Sequence, residues 1–373
     1  MIHFILFLFI FLALIYLYKI SSFFLGLFKL KPGQNQDTYS VTILVPARNE
    51  ENNIAACLDS LIIQDYPRDK FEIIVIDDNS SDDTGKIVQT YRDRHPFVHL
   101  ILLGNCPPGI SPKKRALEAG VKSATGEIVF TTDADCIASP NWIKGIMRHY
   151  EHDVGMVTGL VAFLPQSENT LFQKIQSLEF IGLVTAGIGS IGINDPIIAN
   201  GANLSFRKST FDEVHGYRGN DHIFSGDDDL LLQKIDQATH WRITAATSQD
   251  TIVHTKPVSD VNSFLNQRIR WASKSFIYKK ASLVVFLVAV YLFYLLLFVS
   301  LPFMIRFFAI LPVPAIALFA KLFVDFLLIL KGTAIANRKD LRKYFLIADI
   351  VQIPYILYVG FASIVKTFEW KGR

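Results

Sequence analysis

The sequence predicts an α/β protein: a mainly parallel sheet covered by helices, with transmembrane helices at both ends. Three observations carry this. Between residues 41 and 135, apolar runs rich in β-branched residues alternate with segments of helical spacing. Several of those runs end in acids, as in "VIDDNSS" and "FTTDAD". Long, nearly uncharged blocks lie at residues 2–28 and beyond residue 281.

The elements follow in order. "SVTILVPARNEE" is a strand running into a polar loop. "NNIAACLDSLIIQDY" places Ile54, Cys57, Leu58, Leu61 and Ile62 on one helical face, with Asn52 or Asn53 as its cap. "FEIIVIDDNS" is a second strand, and "SDDTGKIVQTYRDR" a helix capped by Asp82 or Asp83. "FVHLILL", "KKRALEAGVKSA" and "GEIVFTTDAD" continue as strand, helix and strand. Strands this uniformly apolar, alternating with helices, imply a parallel sheet buried on both faces. The segment 168–199 reads as an amphipathic helix at a membrane surface, loosened toward its end by a glycine-rich run, with a core helix as the alternative.

Hydrophobic residues make up 51% of the 373 positions, and the excess is localised in the terminal blocks. A helix needs roughly 20 apolar residues to cross a bilayer. The blocks give an anchor within residues 1–30 and further spans at 281–303, 307–330 and 344–365, with Pro302 and Arg306 marking the connection between the middle pair. The first block lacks a basic start and a small-x-small cleavage site, so it reads as an anchor rather than a cleavable signal. Residues 38–256 then form a soluble domain, and 257–280 an amphipathic interfacial segment. Lys29 and Lys31, Lys274, Lys279 and Lys280, and the basic loop Lys331–Lys343 fall on one side of the four spans. The excess of Lys and Arg makes that side cytoplasmic, in a plasma or inner membrane. The tail, with Lys366, Lys371 and Arg373, falls on the other side against the same rule. Cys57, Cys106 and Cys136 have neither metal-ligand nor disulfide spacing, which suits a reducing compartment. The histidines, among them His215, His222, His240 and His254, show no zinc-binding pattern. A net charge of +3 gives no reason to expect nucleic acid as a partner.

In an open parallel sheet, ligands sit beyond the carboxyl ends of the strands. Those ends carry Pro46 to Glu50, Asp77 and Asp78, and Asp133 and Asp135. There is no G-x-G-x-x-G after the first strand and no P-loop, which leaves dinucleotide and triphosphatase sites unsupported. Paired acids repel one another unless a cation lies between them and a partner. Mg²⁺ or Mn²⁺, hard ions that prefer oxygen ligands, would bridge such carboxylates to a diphosphate and neutralise it as it departs. A nucleoside diphosphate joined to a transferable group is the natural donor.

These motifs resemble the inverting family 2 glycosyltransferases of GT-A fold, a Rossmann-like nucleotide-diphospho-sugar transferase domain. They are most similar to the membrane-embedded branch of cellulose, chitin, hyaluronan and poly-N-acetylglucosamine synthases. The resemblance covers roughly residues 40–275. It implies donor contacts from Pro46, Arg48 and Glu50 in "VPARNEE" and from Asp78 in "VIDDNSSDDT". "PKKRALEAG" is a looser match that aligns Lys113 with a donor-binding lysine; Pro112 and Glu118 depart from the family's Gly and Asn. "TTDAD" resembles the D-x-D motif, implying Asp133 toward the ribose and donor and Asp135 on the metal. "NGANLSFRK" is similar to an acceptor-side motif. "SGDDDLLLQKI" resembles the segment with the catalytic base, which the register of Leu231 and Lys234 places on Asp228, with Asp227 its neighbour. "QRIRW" matches Q-x-x-R-W, implying that Gln267, Arg270 and Trp271 serve the acceptor and diphosphate.

Each of the last two has a plainer reading. "GDDD" also suits a helix N-terminus, where acids meet the favourable end of the dipole. "QRIRW" also suits a basic stretch at a membrane surface. The resemblance implies a processive β-glycan synthase that takes a UDP-sugar, alone or with other polysaccharide-synthesis subunits. The alternative is a single transfer to a lipid carrier or glycolipid, which the small number of spans favours. A non-catalytic scaffold or transporter is the third reading, and it would bind no nucleotide sugar in a metal-dependent way.

Overall fold

Helix α1 (Ile2–Gly26) opens the chain, and β1 (Val41–Ala47), α2 (Ile54–Ile62), β2 (Phe71–Asp78), α3 (Thr84–Arg94), β3 (Val98–Leu103), α4 (Pro112–Ser123) and β4 (Ile128–Thr131) then alternate. Next come β5 (Ile137–Ala138), α5 (Trp142–Met147), β6 (Val154–Gly159), β7 (Val161–Phe163), α6 (Leu171–Gly192), β8 (Leu204–Arg207), α7 (Lys208–Glu213) and α8 (Asp229–Ala238). The chain ends with β9 (Arg242–Ala246), β10 (Val253–Thr255), α9 (Val261–Ala272), α10 (Ala281–Arg306), α11 (Pro312–Ile335) and α12 (Phe345–Val365). The computed structural model describes residues 2–275, 277–306 and 312–365. The connection expected between residues 303 and 307 is instead helical as far as Arg306; residues 307–311 and the basic tail lie outside the described residues. Pro302 does not end a helix, since α10 runs through it to Arg306.

The chain forms two units. One comprises Lys29–Ser167 and Asn194–Lys256. Its central sheet has the order β3-β2-β1-β4-β8-β6-β9. β3, β2, β1 and β4 are mutually parallel; β8 runs antiparallel between β4 and β6, and β9 is parallel to β6. This is a GT-A fold. Ile43, Leu44 and Val45 of β1 and Ile73 to Ile76 of β2 are almost wholly buried, as continuous apolar strands require. α4 covers one face through Ala116, Leu117 and Val121. Because the first four strands are parallel, the ends bearing Pro46, Asp78 and the Asp133 turn emerge along one edge. A small second sheet, β5-β10-β7, begins with β5 just after that turn in the chain.

The other unit comprises Met1–Phe28, Glu168–Ile193 and Pro257–Arg373, and is built from helices. α1, α10, α11 and α12 are long and apolar enough to cross a membrane, and so is α6. α6 corrects the expectation of a helix loosened by its glycines, because it is one continuous helix of 22 residues. The glycines serve close packing instead. A Cβ on Gly189 would lie 2.2 Å from the carbonyl oxygen of Phe23, and one on Gly192 2.0 Å from that of Gly26. The intimate contact with α1 outweighs the helix-weakening effect of glycine, about 0.5–1 kcal/mol each.

Buried ion pairs at Glu168 and Glu179 hold the α6 segment within this unit. Arg338 donates to both carboxylate oxygens of Glu168 at 2.6 Å, just before α6 begins. Arg268 of α9 pairs with Glu179 of α6, which also accepts from Tyr355 of α12 at 2.6 Å.

Candidate active site

The ends of β1 and β2 are locked together. Arg48 donates from Nη1 to the carbonyl oxygen of Asp78 at 2.9 Å, and the same nitrogen lies 3.8 Å from the buried Asp78 carboxylate. Arg115 of α4 approaches that carboxylate at 3.9 Å. The Glu50 amide donates to Thr84 Oγ1 at 2.8 Å, and its carboxylate accepts from Asn53 at 2.8 Å. Pro46 lies within β1, opposite Ile76. Two asparagines make the tight corners: Asn49 has φ 52° and Asn79 φ 59°, a left-handed conformation that asparagine tolerates better than most side chains. Neither was singled out from sequence. The strand-loop boundary is the signal that could have found them.

Past β4, the two aspartates of the D-x-D turn separate. Lys113 of α4 bridges two carboxylates, 2.8 Å from Asp133 and 3.1 Å from Asp227. Burial opposes its charge, yet the carboxylates of Asp133 and Asp227 outweigh that and hold the ammonium well above the ordinary lysine range. Asp228 caps α8: its Oδ1 accepts from the Asp229 amide at 2.7 Å and its Oδ2 from the Gly201 amide at 3.0 Å. Asp229 is buried and accepts from the Ala199 amide at 2.9 Å. The third acid is thus turned inward, while Asp227 and Asp228 flank Gly201. A Cβ on Gly201 would lie 2.9 Å from Asp227 Oδ2 and 3.6 Å from both Asp228 Oδ2 and Lys113 Nζ. That crowding explains the glycine of "NGANLSF". The asparagine of the same motif is structural, since Asn203 is buried and binds Leu160, Thr251 and Trp142.

Sequence reasoning missed Lys114. It is buried beside Lys113 but points the other way, donating to the carbonyls of Asn220, Ile223 and Ser225 at 2.8, 2.9 and 3.0 Å. An ammonium can satisfy three converging carbonyls. The loop leading into Asp227 is therefore pinned to the helix that carries Lys113. The doubled lysine in "PKKRALEAG" was the available signal.

Asp133, Asp135 and Cys136 bring ligand atoms within 4.8 Å of one another. The carboxylates suit Mg²⁺ or Mn²⁺. The thiol does not, because burial, with Asp135 and Asp133 adding to it, pushes Cys136 well up and keeps it protonated. Its Sγ instead donates to Asp135 Oδ1 at 3.6 Å. Thr255 of β10 donates to the other oxygen of Asp135 at 3.3 Å.

Gln267, Arg270 and Trp271 all lie on α9, in the helical unit. Gln267 accepts from Arg268 at 2.7 Å. The Trp271 ring has the Arg268 guanidinium 4.3 Å from its centroid and the Phe180 ring at 6.0 Å.

Residues 42–214 match the Glycosyl transferase family 2 profile. Over those residues the chain is similar to family 2 glycosyltransferases. Over 245 residues the chain is 27% identical to the probable glycosyltransferase YdaM of Bacillus subtilis, covering 62% of this chain and 54% of that protein. It is 29% identical over 157 residues to a poly-beta-1,6-N-acetyl-D-glucosamine synthase of Staphylococcus aureus, covering 41% of this chain and 36% of that one. The chain thus spans about half the length, or less, of these two relatives. In structure, it aligns with a mannosyltransferase of Pyrobaculum calidifontis solved with GDP-Man and Mn²⁺, over 95% of this chain and 99% of that one. That likeness, with a TM-score of 0.57 at 21% identity, supports the fold.

Proposed function

We propose that the protein transfers a sugar, with inversion, from a nucleotide-diphosphate sugar to an acceptor hydroxyl. The observation that carries this is Lys113, whose ammonium joins Asp133 on the donor side to Asp227 beside the candidate base. The loops bearing Pro46, Arg48, Glu50 and Asp78 would hold the nucleotide, and a UDP-sugar is the donor we favour. Asp135, with Asp133, would hold Mg²⁺ or Mn²⁺, which when bound neutralises charge on the diphosphate. Asp228 would take the proton from the acceptor hydroxyl as it attacks the anomeric carbon. General-base catalysis of this kind contributes about 10²–10⁴-fold. Asp228→Asn should therefore bind donor nearly as the parent does and lose turnover by that factor, read as sugar transferred per enzyme. Full activity in Asp228→Asn beside a dead Asp227→Asn would move the base by one residue.

For the acceptor, the Q-x-x-R-W residues favour a growing glycan and a processive β-glycan synthase, with other synthesis subunits as partners. A specific observation favours the second reading, a single transfer to a lipid carrier or glycolipid. The Trp271 face expected to receive a sugar ring lies against Arg268. Both readings set the enzyme in a membrane, anchored by α1, α10, α11 and α12. We place its domain on the cytoplasmic side. Lys331 at the end of α11 stands 4.7 Å from the Phe28 ring just past α1, which supports gathering the basic ends of these helices at one face.

A further inference from the structure

The helical unit buries a second lysine between two aspartates, far in sequence from the D-x-D motif. Lys321 of α11 is fully buried, with Nζ 2.8 Å from Asp325 Oδ2 and 2.5 Å from Asp349 Oδ2. Asp325 lies one turn further along α11, and Asp349 is on α12. Tyr16 of α1 donates to both oxygens of Asp325 at 2.8 Å. Tyr294 of α10 stands 3.2 Å from the Tyr16 hydroxyl, 3.2 Å from Gln352 Oε1, and has Lys321 5.2 Å from its ring centroid. Asp325 and Asp349 thus share one ammonium, each through its Oδ2.

The charges do not balance. One ammonium meets two carboxylates, and the surrounding partners are neutral phenols and an amide. The charged groups on neighbouring α6 are engaged elsewhere, Lys174 over the Tyr344 ring and Glu179 on Arg268 and Tyr355. Lys331 of α11 lies over Phe28. A net negative charge inside an apolar bundle is expensive unless it is compensated. The two carboxyls are also unequal. Asp325 accepts from Lys321 and, across both oxygens, from the single Tyr16 hydroxyl, whereas among the described residues the donor to Asp349 is Lys321. Two buried carboxylates on one ammonium leave one negative charge, which a bound proton would neutralise.

We propose that this cluster is a proton-binding site, in which Asp349 holds one proton. Lys321 remains an ammonium, so the cluster is neutral. Lys321 ties α12 to α11, and Tyr16 and Tyr294 tie the cluster to α1 and α10. This goes beyond the proposed transfer reaction and depends on the membrane reading only for what surrounds the bundle.

The test is infrared spectroscopy of the full-length protein in lipid nanodiscs at neutral pH. The expected result is a carbonyl stretch from a protonated carboxylic acid that shifts in D₂O and is missing from Asp349→Asn. Asp349→Asn should also fold, since the amide copies the neutral acid. A wild-type spectrum without that band, or a band unchanged in Asp349→Asn, overturns the proposal. So does an Asp349→Asn protein that fails to fold while Asp325→Asn folds, because the proton would then belong to the other carboxyl. Loss of transfer activity in Asp228→Asn bears on the catalytic reading alone.

Discussion

Two lysines in this molecule each stand between two aspartates, and they differ in what surrounds them. Lys113 bridges Asp133 and Asp227 at the strand ends, where its side chain is 22% exposed and that of Asp133 37%. Lys321 bridges Asp325 and Asp349 in the helical unit, where it has no exposure and Asp349 only 7%. Both sites carry more negative than positive charge. The open site can draw a cation from solvent and release it, which suits a diphosphate that arrives and leaves. The sealed site has no such exchange, and a bound proton is the compensation available to it. On the proposed reading, the same residue types would serve turnover in one place and cohesion in the other.

The sealed site should give the larger loss. Lys321→Met leaves a carboxylate buried without its cation, and breaking a buried pair in this way costs about 3–5 kcal/mol. The expected outcome is a strongly lowered Tm in detergent or nanodiscs. An unchanged Tm would mean that the cluster is solvated and the comparison fails. Lys113→Met acts where solvent can reach, so the fold should survive with little change in Tm. Turnover should drop by roughly 10²-fold, the scale of a lost positioning or charge-stabilising contact. Should Tm collapse while the remaining folded enzyme turns over normally, Lys113 would be structural and the contrast reversed. The smallest effect is expected from Trp271→Ala. If the acceptor is a lipid held by the bilayer, transfer should fall only a few-fold, on the order of 1 kcal/mol. A disproportionate loss of long products, with single additions retained, would instead favour the processive reading and a sugar on the free face of that ring.

Much of the sheet unit was legible before the structure. Continuous apolar strands such as "TILV" and "EIIVI" admit few partners other than a parallel sheet buried on both faces. The D-x-D turn was legible because two acids end a buried strand, where a bland loop has no need of them. Gly201 was quoted as part of a motif, but its contact with Asp227, Asp228 and Lys113 joins segments far apart in sequence, and only the fold reveals it. Lys114 was hidden for the same reason, because backbone carbonyls leave no mark in a sequence. α6 was misread because its glycines were weighed as helix breakers without the α1 backbone that they accommodate. Lys321, Asp325 and Asp349 were noticed as interruptions of apolar blocks. The four-residue spacing of the first two on one helix could have paired them, but Asp349 needed the packing of α12.

The central claim is that the strand-end crevice works on a nucleotide sugar through a divalent cation held by Asp135. Its most direct test is UDP-sugar turnover by the full-length protein in nanodiscs, titrated with Mg²⁺ or Mn²⁺, for the parent and Asp135→Ala. The account predicts transfer that is abolished by chelation, restored by either ion in the parent, and restored by neither at matched concentration in Asp135→Ala. Metal-dependent transfer in Asp135→Ala equal to that of the parent would contradict it.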